Sequence, residues 1–423
     1  MNILDVMLIV LVIYVPNQLH FPADLGLKGM NVLNILLALT LLAMVATGAK
    51  ARSPAPVRWR IGLLALLFVV SFFVGQFRAP GDALQDLVVL KSLLTQMLMY
   101  FIFYHAARDQ DRARRLVAAI LLVAFVAAVE AAREGLEYGF SGYAMSHRVS
   151  GPFGHDYQNS NRAGAFYAIF LPQFLSLALF RRDIRAALVG LTGTAFTAIA
   201  IFATYSRQAF LIAALATLAL ALKRSAIVGL LAVALVAGWR FWAPAAVVER
   251  VGMTYVETEG GEEELEVSAR SRLRIWEGAG QLISQNPFGI GLNRFRGEIG
   301  DYAEVSGKDA HNAYVLLTAE AGLQGIVALL LVLAGLIAVA VRLIRSARDD
   351  ETRAFGYGYL VSVACMMLGN LFGSPFFSVE VMGNFWSLSG VAARYPSFRS
   401  HDVRRQAMGQ IHDVHERRCA TSS

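Results

Sequence analysis

Nine residues separate His311-Asn312 from Gly322-Leu323-Gln324-Gly325, at the mouth of a long apolar run. Imidazole is the one side chain whose ordinary pKa lets it gain or lose a proton near neutral pH, so a histidine at a lipid surface is a candidate proton-transfer group. A single histidine is more often an ordinary surface or satisfied core residue, and its meaning rests on its neighbours. Arg207, in Tyr205-Ser206-Arg207, sits between two apolar runs with almost no loop to expose it. An arginine in that position faces a bundle cavity or the membrane interface. Arg272 stands four residues before Trp276 and shares a helical face with it, while Arg270 and Arg274 share another. Snorkelling toward lipid headgroups is the competing explanation for each of the three.

If residues 311–325 form one continuous helix, eleven steps of about 100° return to within about 20° of the start. Gly322 then lies on the face of His311, and Glu320 points the opposite way. Alternatively, Gly322 caps a short surface helix and the apolar run starts afresh at Leu323. Further upstream, His147, Arg148, Asn159, Asn161 and Arg162 lie in a stretch dense in Asn and Gly, which argues turns first. His147, His155 and Asp156 lack a helical i, i+4 ligand pair, and no metal site is expected. Lys91 lies inside an apolar run five residues from Asp86, so an internal ion pair competes with a functional reading.

These residues need a membrane frame. The chain is 56% hydrophobic and 16% charged over 423 residues, with mean hydropathy +0.52. That composition, with apolar stretches that lack a polar face, excludes a soluble globular domain and predicts an all-α integral membrane protein of about twelve spans. The runs are 3–19, 30–48, 61–77, 85–106, 116–132, 163–180, 187–204, 208–222, 225–243, 323–341, 355–373 and 376–392. Every second connection is basic: Lys50, Arg52, Arg58 and Arg60; Arg108, Arg112, Arg114 and Arg115; Arg181, Arg182 and Arg185; Lys223 and Arg224; Arg342, Arg345, Arg348 and Arg353. The positive-inside rule puts these connections and both termini in the cytoplasm. Topology signals thereby account for much of the +7 net charge, and nucleic-acid binding is not expected.

A transmembrane domain is expected over 1–393, with long external segments at 133–162 and 244–312 and a basic cytoplasmic tail at 394–423. The larger external segment, between the ninth and tenth spans, holds an acidic patch from Glu257 to Glu266 and then a short helix, Ser271 to Leu282, ended near Asn286-Pro287. The first apolar run opens without a basic flank and should stay as a signal anchor. Cys365 in a span and Cys419 in the tail fall where no disulfide is expected. The tail is either a solvated segment or a contact for anionic membrane lipids.

Together these features resemble the O-antigen ligase and polymerase superfamily of bacterial inner-membrane glycan transferases. The resemblance rests on the many spans, the late large loop, Ser206-Arg207, Arg272 before Trp276, Asn286-Pro287-Phe288-Gly289-Ile290-Gly291, and His311-Asn312 with Gly322-x-x-Gly325. It implies an O-antigen ligase that moves glycan from undecaprenyl-pyrophosphate to a sugar hydroxyl of lipid A-core on the periplasmic face, inverting, with no metal and no cofactor. On that reading Arg207 and Arg272, with Arg274, bind the donor pyrophosphate. His311 acts on the acceptor hydroxyl and Asn312 orients it or the acceptor; Gly322 and Gly325 are the motif glycines. Arg148, Asn161 and Arg162 would lie near the donor, Arg270 could substitute for Arg272, and Lys91 is a lower-ranked cavity residue. A repeat-unit polymerase, a protein O-oligosaccharyltransferase and a lipid-linked glycan transporter are the alternatives.

Overall fold

The computed structural model describes residues 2–26, 28–51, 53–154, 159–257, 263–265, 267–304 and 307–398, with backbone alone for the described part of 255–269. The chain is helical: α1 Ile3–Asn17, α2 Val32–Ala46, α3 Arg58–Arg78, α4 Ala83–Ala106, α5 Gln110–Tyr138, α6 Ser160–Phe180, α7 Ile184–Thr204 and α8 Arg207–Arg224. Then come α9 Ala226–Ala237, the single turn α10 Trp239–Trp242 and α11 Ala245–Gly252. Strands β1 Tyr255–Glu257 and β2 Glu263–Leu265 pair antiparallel. After them come α12 Val267–Gln285, α13 Phe295–Glu298, α14 Ala313–Ser346, α15 Asp350–Gly369 and a last helix, α16, over 379–398.

Every apolar run in the sequence carries a helix. Seven of the described helices are long and apolar enough to cross a membrane: α1 (with the turn that follows it), α3, α4, α5, α6, α7 and α14. The expected count of twelve is not reached on that criterion. Helices α2 and α9 are apolar but short, and the expected 225–243 span is broken after Ala237, where the α9 helix stops and α10 begins. Ends are set by local chemistry. Asn31, Asp82, Asp109, Ser225 and Asp349 each accept a backbone N–H as N-caps, which satisfies donors the first helical turn leaves unpaired.

The basic connections gather at one end of the bundle. Arg112 pairs with Asp5 at 2.7 Å, Arg114 and Arg181 reach Glu351 at 2.9 and 3.0 Å, and Arg394 donates to Ser53 Oγ at 3.1 Å and to the Ala107 carbonyl at 3.2 Å. The first helix starts, and α16 ends, at this same end. Alternation of charge along the sequence therefore corresponds to alternation between two ends in space. Cys365 is buried in α15 as a free thiol; Cys419 lies outside the described residues.

At the opposite end, α14 is not continuous. Gly322 has φ 75° and ψ −177°, a conformation essentially closed to residues with a Cβ, and it splits the helix into 313–321 and 323–346. His311 itself precedes the helix, and the single-helix geometry expected for 311–325 is overturned. The break leaves carbonyls without intrahelical partners, and the segment after α12 supplies them. Ile290 N–H donates to Ala319 O at 2.9 Å, Gly291 N–H to Glu320 O at 3.0 Å, and Leu323 N–H to Pro287 O at 2.9 Å. Ser71 of α3 adds its hydroxyl to Glu320 O at 2.8 Å, and Leu292 N–H returns to Ser71 O at 2.9 Å. There is no room for larger residues. A Cβ on Gly322 would stand 2.4 Å from the Phe288 carbonyl carbon, and one on Gly289 2.6 Å from Glu320 O.

Substituting Gly322→Ala should therefore lower stability by at least roughly 1–3 kcal/mol, the cost of a residue held in a disfavoured φ/ψ region. Thermal unfolding in detergent checks this; a melting temperature equal to wild type would contradict the docking.

Candidate active site

One cavity of about 440 Å³ opens at the end of the bundle where α14 breaks. It is lined by Arg272 of α12, Asn293, Arg296, Asp309, His311 and Glu320. The start of α6 adds Asn159, Asn161 and Arg162, and the start of α8 adds Gln208. The turn between α15 and α16 contributes Gly373, Ser374 and Ser378, and Val89, Leu316, Phe372 and Phe377 make the wall partly apolar. Four helices, α6, α8, α14 and α16, begin at this cavity. Each contributes the positive end of a helix dipole, worth about 0.3–1 kcal/mol to a nearby anion.

His311 is held by its backbone. Its φ is +48°, unusual for a residue with a Cβ, and its N–H donates to Asp309 Oδ1 at 2.8 Å. Asp309 also accepts from Ser374 Oγ at 2.9 Å and pairs with Arg296 at 3.2 Å. Burial pushes the Asp309 carboxyl up, but the His311 N–H, the Ser374 hydroxyl and the nearby cations outweigh it and hold it below the ordinary carboxylate value. For His311 the balance falls the other way. Partial desolvation and the charges of Arg272, Arg296 and Lys308 lower its pKa, against the opposing pull of Asp309. The imidazole is thus neutral at neutral pH, the form that accepts a proton.

The expected face pairing on α12 is present. Arg272 lines the cavity, while Trp276 donates from Nε1 to the Ala310 carbonyl at 2.8 Å and so braces the residue before His311. Arg274, on the other face, pairs with the exposed Glu304 at 3.6 Å. Arg270 is half-buried and Arg207 donates to Thr254 Oγ1 at 3.1 Å; neither is among the described residues that line the cavity. Asn312 spends its side-chain oxygen as the N-cap of α14, accepting from Tyr314 and Val315 N–H at 3.0 and 3.2 Å. Gly325 lets the first turn after the break pack closely, since a Cβ there would meet the Ala321 Cβ at 2.7 Å.

Asn161 and Arg162 line the cavity, and the buried Arg148 stands behind them, donating to Thr204 O at 3.0 Å and to Asn161 Oδ1 at 2.8 Å. Arg162 pairs with Glu380 at 3.2 Å. Lys91 is elsewhere. It donates to the Gly29 carbonyl and not to Asp86, and the expected Lys91–Asp86 pair is replaced by Arg294–Asp86 at 2.6 Å, with Asn293 and Gln76 also donating to that carboxylate. His155 and Asp156 lie outside the described residues. His147 stacks on Tyr138 with ring centroids 5.1 Å apart.

Several cavity residues escaped sequence reasoning. Glu320 was expected to point away from His311; because His311 lies before the helix and not on it, both line the same cavity, and Glu320 accepts the Phe295 N–H at 3.2 Å. Arg296, Asp309 and Gln208 were legible only as neighbours of better-marked residues: Asp309 two before His311, Gln208 directly after Arg207.

Residues 192–330 match the family model described as O-Antigen ligase, a stretch from within α7 to within α14 that includes Arg207, Gln208, Arg272, Arg296, Asp309, His311 and Glu320. No curated protein matches the chain.

The local charge pattern has a direct readout. Carbethoxylation of His311, followed on its peptide by mass spectrometry, should titrate with a midpoint below the ordinary value of about 6.5. Arg272→Gln should move that midpoint upward, because it removes a positive charge that disfavours the imidazolium. A midpoint unmoved by the substitution would separate Arg272 from His311 electrostatically.

Proposed function

We propose, from the premise that the chain is a member of the O-antigen ligase and polymerase superfamily of multi-pass membrane glycan transferases, that it is an O-antigen ligase working at the periplasmic face of the bacterial inner membrane. The observation that carries this reading is the single cavity in which a proton-accepting histidine, Arg272 and Arg296 stand together with a partly apolar wall. A lipid pyrophosphate presents two chemistries at once, an apolar chain and a leaving group that needs its charge neutralised. Guanidinium forks bind phosphate oxygens bidentately, and such charge-assisted bonds contribute about 1.5–3 kcal/mol each. Arg272 and Arg296 serve this purpose within the cavity, assisted by the helix N-termini and by Arg207 at the neighbouring start of α8.

The acceptor hydroxyl of lipid A-core gives its proton to His311 as its oxygen attacks the anomeric carbon of the donor glycan. The bond from that carbon to the pyrophosphate oxygen breaks, undecaprenyl pyrophosphate leaves with the electron pair, and the anomeric centre inverts. Asp309 fixes the backbone of His311, and its charge favours the imidazolium formed in the transition state. Asn312 acts through the helix cap that follows His311, and Arg274, turned toward Glu304, is not required for the donor. The reaction needs no cofactor on this reading, since the donor brings its own activation.

Complementation of a ligase-null bacterium, followed by lipopolysaccharide gel electrophoresis, tests the proposal. Wild type should restore the ladder. His311→Ala should reduce transfer by about 10²–10⁴, the usual worth of a positioned general base, and Arg272→Ala should also lose the ladder while Arg274→Ala keeps it. Free lipid-linked polymer over unmodified core would instead favour the polymerase reading, and an intact ladder with His311→Ala would overturn the assignment of the base.

A further inference from the structure

The α6–α8 side of the cavity carries a set of neutral hydrogen-bonding groups that neither proton transfer nor charge neutralisation uses. Asn159 occupies the N-cap position of α6, yet its side chain makes no capping bond although asparagine is among the preferred cap residues; it lines the cavity. Two residues on, Asn161 has its amide orientation fixed from behind. The buried Arg148 donates to Asn161 Oδ1 at 2.8 Å while its Nε is tied to the Thr204 carbonyl at 3.0 Å. With the oxygen occupied by a guanidinium that carries only donors, the two Nδ2 hydrogens are the part of this amide left to face the cavity. Gln208 closes the row. Its Nε2 reaches the Asn161 carbonyl at 3.5 Å, and Gly373 packs against the amide, where a Cβ would stand 3.5 Å from both its terminal atoms.

This wall is built rigidly. Gly164 one turn along α6 would bring a Cβ to 2.9 Å from Ser206 and 3.0 Å from Ala209, so the starts of α6 and α8 are locked at close approach. Three amides held on packed helix starts, beside the Arg162–Glu380 pair at 3.2 Å, offer donors and acceptors at fixed positions without adding a second strong cation site.

Fixed neutral donors and acceptors match a polyhydroxylated ring, and these amides line the same cavity as Arg272, Arg296 and His311, within which a ring attached to a pyrophosphate would lie. We infer that Asn159, Asn161 and Gln208 form a sugar subsite for the first residue of the donor glycan, with Arg148 as the positioning residue that sets the orientation of Asn161. The inference rests on the transferase reading of the same cavity and adds what recognises the sugar. A site built to hydrogen-bond a hydroxyl discriminates strongly against a ligand that lacks it, because its buried polar groups are then left unpaired.

The test is equilibrium binding to the full chain in lipid nanodiscs, with two probes: polyprenyl pyrophosphate bearing one sugar, and the same polyprenyl pyrophosphate bearing none. Wild type should bind the glycosylated probe about tenfold more tightly, the size of one to two net hydrogen bonds. Asn161→Ala removes both cavity donors without adding charge; it should erase most of this difference while leaving the Kd for the bare lipid pyrophosphate within about twofold, which also reports that the variant is folded. Arg148→Lys, which frees the amide to turn, should shrink the difference in the same way. Equal binding of the two probes by wild type, or a difference that Asn161→Ala leaves intact, overturns the subsite alone. If wild type binds neither probe, the transferase reading falls and the subsite with it.

Discussion

The architecture of the site depends on a set of peptide hydrogen bonds between two irregular pieces of backbone. A helix that breaks in apolar surroundings exposes carbonyl and amide groups that cost several kcal/mol each if left unpaired. In α14 the break at Gly322 is tolerated because residues 287–292 lie against it, and donors and acceptors from that segment pair with Ala319, Glu320 and Leu323, with the Ser71 hydroxyl of α3 as a second donor to the Glu320 carbonyl. The dependence is mutual. A segment rich in glycine with no secondary structure of its own would have the same unpaired groups, and it finds its partners at the broken helix. Neither piece is stable at this place without the other, so the two glycine-containing motifs, more than thirty residues apart in sequence, make one structural unit.

That unit sets the electrostatics of the cavity. The docked segment runs on into Asn293 and Arg294, both bound to Asp86 of α4, and then into Arg296, which pairs with Asp309. Asp309 in turn holds the N–H of His311. A chain of charge-assisted contacts thus leads from α4 through the loop to the backbone of His311. Arg272 arrives from a different direction, on a helix fixed by Trp276 against Ala310. Three arginines, Arg162, Arg272 and Arg296, and four helix N-termini meet at the cavity, against the carboxyl groups of Asp309 and Glu320. This explains why the imidazole is poised as a base. The same field that suits an anionic leaving group disfavours its protonated form.

Much of the fold was legible in the sequence because the bilayer imposes a simple rule: backbone polar groups in hydrocarbon must be satisfied within the segment, so apolar runs of sufficient length become helices. The alternation of basic connections was equally legible, and the ion pairs of Arg112, Arg114 and Arg181 at one end of the bundle are its spatial counterpart. The shared face of Arg272 and Trp276 followed from helical spacing alone. Of the two readings of Gly322, the structure has the one in which a short helix ends there and the run starts afresh at Leu323; what failed was the continuous helix over 311–325. A spacing of eleven residues suggested a continuous helix, and periodicity carries no information about a φ of 75°. His311 precedes the N-cap Asn312 with φ +48°, so the relation between His311 and Glu320 computed from about 100° per residue does not apply either. The Lys91–Asp86 pair failed for another reason: a nearer local partner was assumed for Asp86, while the segment after α12 brings Arg294 and Asn293 to it across two hundred residues of sequence and Gln76 of α3 adds a third donor.

The two ends of the bundle also use arginine in opposite ways. At the basic end, arginines from successive connections are tied to carboxylates and carbonyls of neighbouring helices, and their positions follow from topology. At the other end, Arg162, Arg272 and Arg296 come from segments that a helical-span reading treats as connections, and they line one cavity where α6, α8, α14 and α16 all start. A composition-based argument cannot separate these two populations, since both consist of arginines near the ends of apolar helices. Geometry separates them by what lies in front of the guanidinium. For the first group it is another helix; for the second it is a cavity with a histidine at its edge. The functional content of the chain therefore lies less in how many arginines it has than in which helix ends are packed to face one another.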